Sequence, residues 1–284
     1  LDVATSDQAT LTVLQKPFRP DALTQGLIAY WDFSESSNLG RDVSGRENNL
    51  YNAGNVVQGV GPNGWKSAEF NGGNYLAVAD DPNSRLAMNS GEESMTISLW
   101  LSPGAFHLSS IGVICKKTSN ADSGGYFIAT QSNRGIEVGA GGVAGSSNLN
   151  TPGTILEVNQ WNHIVFVIDS DSDEMRVYRD AVLQALTAYS GGIVTSPGSL
   201  FTVGVNSGAV GGADYFIGSI SDLAIWDRAL TPAEIQSLSS GISPVPGNTM
   251  ELQVLKQWDR TYGGASSDEA YVARRTANGG YIIG

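Results

Sequence analysis

Cysteine is nearly absent. Cys115 is the sole one in 284 residues, so no disulfide can close within the chain and no CxxC pair is available for zinc or redox chemistry. Its place in the run IGVICKK suits a buried, inert thiol. Two histidines, His107 and His163, are too few for a three-histidine zinc centre, and His163, at the start of a strand-like run, reads as a packed residue. Basic residues are also scarce. Sixteen of them against 28 acidic ones leave a net charge of −12, which repels nucleic acid and anionic membranes and excludes both as partners. No apolar run approaches the ~18 residues that suggest a membrane span, so no membrane insertion is expected, and no basic-then-apolar leader opens the chain. The first residue is Leu1 rather than Met, as expected of a processed protein or a piece of a longer one.

What is present is strand chemistry. With 41% hydrophobic residues the chain can bury a sizeable core. Between about Gly26 and Ser240, short runs rich in β-branched and aromatic residues alternate with Gly, Asn, Ser and Asp clusters. GLIAYWDF, MTISLWLSP, NHIVFVID and SISDLAIW are among them, in the pattern of an all-β sandwich or barrel. The glycine pairs, such as those at 124–125 and 141–142, open no helix after a strand and read as turns and bulges rather than a phosphate cradle. A single helix start is legible at Thr231-Pro232-Ala233-Glu234: Thr231 as N-cap, Pro232 at the first helical position and Glu234 closing a capping box. The acidic cluster Asp169, Asp171, Asp173 and Glu174 lies between two strand runs, where a solvated hairpin tip is expected. It lacks the glycine and distal glutamate of an EF-hand loop.

At both ends the pattern changes. Residues 1–22 read as the last strand of a preceding β domain plus a proline-marked connection, 23–240 as one domain, 241–253 (GISPVPGNTM and its neighbours) as a linker, and 254–284 as the start of an incomplete β-repeat domain. The strands ATLTVL and GGYIIG are the expected edges for self-assembly.

GLIAYWDFSE, RDVSGRENNLYN, SAEFNGGNYLAVADD, MTISLWLSP, QWNHIVFVIDSDSDEMRVYRD and GSISDLAIWDRALTPAEIQSL follow one another as do the signatures of a laminin-G-like domain of the concanavalin A-like lectin/glucanase superfamily. The segment WDRTYGGASSDEAYVARRTANGGYIIG resembles a propeller-like repeat of large secreted prokaryotic proteins. The first resemblance implies an antiparallel jelly-roll sandwich whose closing strand returns beside the first, with a short helix after it. Together the two imply a multidomain extracellular or cell-surface protein.

Glucanase members of the superfamily carry Glu-x-Asp-x-x-Glu on a strand, whose alternation aims a nucleophile and an acid into the cleft. No such strand occurs here, so no catalytic residue is assigned. The expected function is a noncatalytic binding or adhesion module recognising a glycan or a surface protein. A purely structural element of a surface fibre or virion appendage is the alternative, and a glycoside hydrolase or polysaccharide lyase comes last. The resemblance further implies a structural calcium ion where the first strand, the following loop and the closing strand meet. The matching positions are Asp32, Asp42, Asn48 or Asn49, and Asp222, and such an ion would explain an aspartate inside a strand. Without a metal, Asp42 would cap the Ser-Gly turn and Asp222 would face solvent or pair with Arg41. Trp31, Trp100, Trp161 and Trp226 lie in or beside strands and read as core. Trp65, in the turn-rich GVGPNGWKSAEF, and Tyr51, Tyr126 and Tyr215, near loops, are the candidate ligand-binding aromatics.

Overall fold

The computed structural model describes residues 22–81, 84–88, 94–117, 124–142, 145–195, 198–206, 215–245, 273–275 and 281–283. The chain divides into two compact units, Lys16–Gly247 and a second composed of Leu1–Gln15 with Asn248–Gly284. In the second unit the described residues form one hairpin, Ala273–Arg275 against Tyr281–Ile283. The run ATLTVL lies outside the described residues, as does most of the segment likened to a propeller repeat.

The first unit is built from fifteen strands. The first eight are Leu27–Trp31 (β1), Tyr51–Ala53 (β2), Val57–Val60 (β3), Lys66–Asn71 (β4), Tyr75–Val78 (β5), Met95–Pro103 (β6), Ile111–Lys116 (β7) and Gly125–Thr130 (β8). Ile136–Gly142 (β9), Gly145–Asn150 (β10), Asn162–Asp169 (β11), Glu174–Arg179 (β12), Val182–Ala188 (β13), Phe201–Val203 (β14) and Ile217–Trp226 (β15) complete the set. They form two antiparallel sheets. One runs β13-β12-β11-β6-β15-β4-β3, with β1 paired to β15; the other runs β10-β9-β8-β7-β14-β5-β2. This is the sandwich that alternation along the strands calls for. Ile97, Leu99 and Leu101 of β6 meet Tyr126 and Ile128 of β8 in one buried cluster, while intervening residues point outward. Trp31 of one sheet stacks on Phe201 of the other at 5.4 Å between ring centroids, joining the layers at the centre.

The closing strand returns beside the first as the resemblance implied, with Leu27 opposite Trp226 and Trp31 opposite Leu223. A helix, Pro232–Ser239 (α1), follows with its capping box complete: Thr231 accepts from the Glu234 N–H, and Glu234 accepts from the Thr231 N–H at 2.8 Å. Its buried Ile235 and Leu238 pack with Leu23, Tyr30, Val165 and Trp226 on the outer face of the eight-stranded sheet. The expected linker begins later than 241. Ser243 is buried and Ile242 and Val245 pack into the same outer cluster, because the exit segment continues to cover apolar surface that α1 leaves open.

Within β15, Asp222 has a left-handed φ of 50°, and the pairing with β6 shifts between Ser221 and Ala224. Asp222 and Leu223 together oppose one residue of β6. An aspartate tolerates this bulge conformation better than most residues, which accounts for its presence in a strand without a metal. The acidic cluster at 169–174 is the expected hairpin tip between β11 and β12, with Arg176 paired to Asp169.

Candidate functional site

Antiparallel pairing sends alternate residues of the seven-stranded sheet outward, and on its β7–β10 half those residues are unusually small. In β8, Tyr126 and Ile128 face the core and Phe127 faces out; in β9, Ile136 and Val138 face the core while Glu137, Gly139 and Gly141 face out. With Gly112 and Gly125 these glycines form the floor of a groove of about 370 Å³. A Cβ at Gly139 would overlap the Phe127 ring, so the glycine lets that ring lie across the sheet.

The groove's walls are polar. Glu137 accepts hydrogen bonds from Ser110 Oγ at 2.7 Å and from Asn148 Nδ2 at 2.9 Å. The Lys117 ammonium sits 4.3 Å from the centre of the Phe127 ring, in a cation–π contact. Asn206 closes the far side and accepts from the Cys115 thiol at 3.4 Å. Cys115 is buried as expected, and it also lines the groove. The arrangement offers an aromatic ring with the Lys117 ammonium over it, an amide–carboxylate pair and flanking hydroxyls on an open trough. Such a set can stack against a sugar ring and exchange hydrogen bonds with its hydroxyls. Phe127, Glu137, Asn148 and Asn206 are absent from the residues expected from sequence. Their signal was the outward alternation of glycines in GIEVGAG, a strand-like run ending at the glycine pair 141–142, which reads as a turn until β9 is placed in a sheet.

Tyr51 and Tyr215 come together around Tyr75, with centroid distances of 6.4 Å for Tyr51–Tyr75 and 6.2 Å for Tyr75–Tyr215. Partial burial, then the neighbouring Tyr51 phenol and Tyr215, hold the Tyr75 hydroxyl above the usual phenol range. Tyr126 does not belong with them. It is fully buried between the sheets, donates its hydroxyl to the Leu86 carbonyl at 3.1 Å, and offers nothing to a ligand. Trp65 is partly buried elsewhere, against Gly241, where it helps seal the exit segment. Trp31 and Trp226 are fully buried as expected, and Trp100 lies over His163 on the outer face of the other sheet. His163 donates or accepts through Nε2 to Ser98 Oγ at 2.8 Å, and burial lowers its pKa to about 3.

The residues expected to hold calcium fall into two groups. Asp42 is buried and its oxygens accept three backbone N–H groups, from Tyr30 at 3.0 Å, Ser44 at 2.9 Å and Asn48 at 2.9 Å. Asn49 Oδ1 accepts from the Asp42 N–H, and Asn48 Oδ1 accepts from Ser84 Oγ. Asp222 instead accepts from the Tyr30 hydroxyl at 2.7 Å, and burial first, then Asp222 and Asp32, raise that phenol's pKa. Among the described residues no three His, Cys, Asp or Glu side chains gather to hold a metal. The Asp42 oxygens face N–H donors, whereas Asn48 Oδ1 and Asp222 Oδ1 face the Ser84 and Tyr30 hydroxyls, so these oxygens are engaged within the fold. Asp42 ties the Ser44–Asn48 loop to β1 through these hydrogen bonds.

The two-sheet jelly roll carries an open polar-aromatic trough across one face. A family model described as concanavalin A-like lectin/glucanases superfamily matches residues 70–236, more than half of the chain, and the chain belongs to that superfamily. Human pentraxin-4 is 35% identical over 95 residues, which cover 32% of this chain and 20% of that protein. Human neuronal pentraxin receptor is 26% identical over 119 residues, 39% of this chain and 23% of that protein. The chain therefore spans about a fifth of the length of these relatives. Among solved structures, domain 4 of AbnA, a GH43 extracellular arabinanase from Geobacillus stearothermophilus, in complex with arabinotriose, superposes with a TM-score of 0.58 at 20% identity. That match covers 75% of this chain and 98% of the domain. The binding domain of botulinum neurotoxin DC in complex with SialylT gives a TM-score of 0.60 at 17% identity, covering 77% of this chain and 52% of that one. These likenesses show the shared sandwich fold.

Proposed function

We propose that the sandwich is a noncatalytic glycan-binding module of an extracellular or cell-surface protein, with its site in the groove over Phe127. The observation that carries the reading is the groove itself: one aromatic face on a glycine floor, bordered by the Glu137–Asn148 pair, Asn206 and Lys117. Two structural neighbours support it, one captured with arabinotriose and one with SialylT. Binding without turnover follows from the carboxylate count. Glycoside hydrolysis uses two carboxyl groups across the scissile bond. Among the described residues lining the groove Glu137 is the one carboxylate, and Ser110 and Asn148 already engage it.

The direct test is a glycan array probed with the full chain, followed by calorimetry on each hit for the wild type and Phe127→Ala. Binding that the substitution reduces at least about tenfold, with no shortening of the glycan on prolonged incubation, is the expected result. Array binding indifferent to Phe127→Ala would move the site elsewhere, and glycan cleavage would make the module an enzyme. A protein partner is the second reading. It is favoured by the botulinum neurotoxin DC binding domain solved in complex with rat synaptotagmin II, and by the exposed apolar residues Val182, Leu183 and Leu186 on the edge strand β13. A mute array together with loss of cell-surface binding in Leu186→Lys would support it.

A further inference from the structure

Directly paired residues of an antiparallel sheet lie on the same face, so the registers can be followed from the groove across the sheet. Phe127 is opposite Cys115, Cys115 opposite Thr202, Thr202 opposite Ala77, and Ala77 opposite Tyr51. Phe127 and Tyr51 thus occupy one rung of one face, four strand spacings or about 19 Å apart.

The ends of this rung are open and its middle is covered. Tyr51 is 48% exposed, whereas Cys115, Thr202 and Ala77 are at most 1% exposed. Val205 and Asn206 lie over the middle: Thr202 Oγ1 donates to the Val205 carbonyl at 2.8 Å, and the Cys115 thiol meets Asn206. Asn206 is also a wall of the groove, while Val205 pairs with Tyr215 of the tyrosine cluster. One divider thus borders both open regions. On its far side Tyr51, Tyr75 and Tyr215 present three adjoining rings, each with an apolar face and a polar tip. Such rings suit stacking with hydroxyl-rich ligands at a small loss of side-chain freedom.

We propose that Tyr51, Tyr75 and Tyr215 form a second stacking subsite for distal residues of the same glycan that enters the groove at Phe127, so that this face selects an oligosaccharide by length. The inference rests on the glycan reading of the groove. Shared face, shared rung and shared divider favour a continuation of that ligand over an unrelated one.

Chain length is the variable that separates the two claims. The full chain is titrated with linear arabino-, gluco- and galacto-oligosaccharides of two to eight units, using the wild type, Tyr51→Ala, Tyr51→Phe, Tyr51→Ala/Tyr75→Ala and Phe127→Ala. The expected result is affinity that climbs with length, on the order of tenfold between the shortest and longest members of a series that binds. The two alanine variants should abolish that climb and leave the shortest ligand unaffected, and Tyr51→Phe should retain it. Because Tyr51 is half-exposed, its single replacement keeps the test valid if the double variant unfolds. Affinity independent of length, or a climb that survives Tyr51→Ala, overturns the second subsite and leaves the groove reading intact provided Phe127→Ala still abolishes binding. Insensitivity of every ligand to Phe127→Ala overturns the groove reading, and absence of binding to all three series overturns the proposal for these glycans.

Discussion

Asp42 shows how a single side chain can hold a loop against a strand. Three backbone N–H groups converge on its carboxylate in a buried site. Asp42→Asn would turn an amide N–H₂ toward one of those donors, and a loss of about 2–3 kcal/mol is expected in urea unfolding. With hydrogen bonds holding the loop, the loss is expected to be the same with calcium and with EDTA, and the wild-type melting temperature is expected to respond to neither. Gly139 is the corresponding position in the groove. Gly139→Ala places a methyl group against the Phe127 ring and Asn148. It should weaken glycan binding about tenfold in calorimetry while changing stability by only about 1 kcal/mol, because the displaced ring swings toward open solvent. The carboxylates and asparagines of the expected calcium set were legible as a cluster; their partners were not. Sequence shows which oxygens a loop carries, whereas the donors that claim them include the Tyr30 N–H of β1 and the Ser84 and Tyr30 hydroxyls, whose placement against the loop is tertiary.

The strands themselves were largely legible, and the exceptions share a cause. β6, β8, β11 and β15 announce themselves through apolar alternation. β10, sequence GSSNLN, and β13, sequence VLQALTA, do not. Both are edge strands, paired on one side only, so neither pattern is fixed by two neighbours and a buried face. The groove was hidden because one of its walls is the edge strand β10 and its floor is outward glycine on β9, which carries no side chain to mark a face. At the helix the local code was sufficient. Thr231→Ala removes one arm of the capping box and should cost about 1 kcal/mol in thermal or urea unfolding. The bidentate contact of Arg228 with Glu234, at 3.0 and 2.6 Å, keeps the helix start tethered in that variant.

For the whole molecule, several titrations act in one direction. His163 is held neutral down to about 3 by burial, against an ordinary 6.5. The unfolded chain therefore binds this proton first, and stability is lost as pH falls from about 6.5 toward 3, by up to about 1.4 kcal/mol per pH unit from this group. Burial alone would raise Asp80 and Glu234, but hydrogen bonds from Lys116 and the Gly198 N–H, and from Arg228 and Thr231, hold both below the usual carboxylate range. Their contributions are present above the ordinary carboxylate pKa and disappear as pH falls through the folded values. Melting temperature should therefore fall progressively below pH 6.5. His163→Gln should flatten the segment between pH 6.5 and 5 while leaving the steeper carboxylate-driven loss below it, a comparison that calorimetry at a series of pH values can make.

The pairing of the first strand with the last carries a mechanical consequence. Leu27 faces Trp226, Trp226 Nε1 donates to the Leu23 carbonyl and Arg228 to that of Ala22, so entry to the sandwich lies beside the end of its closing strand. Tension between the segments flanking the sandwich would first peel away Gly241–Val245 and α1. It would then load the β1–β15 ladder from its Leu27–Trp226 end, opening hydrogen bonds one after another rather than shearing them together. A module threaded this way yields early under pull, with the β7–β10 half that carries the groove far from the point where the load enters in sheet order.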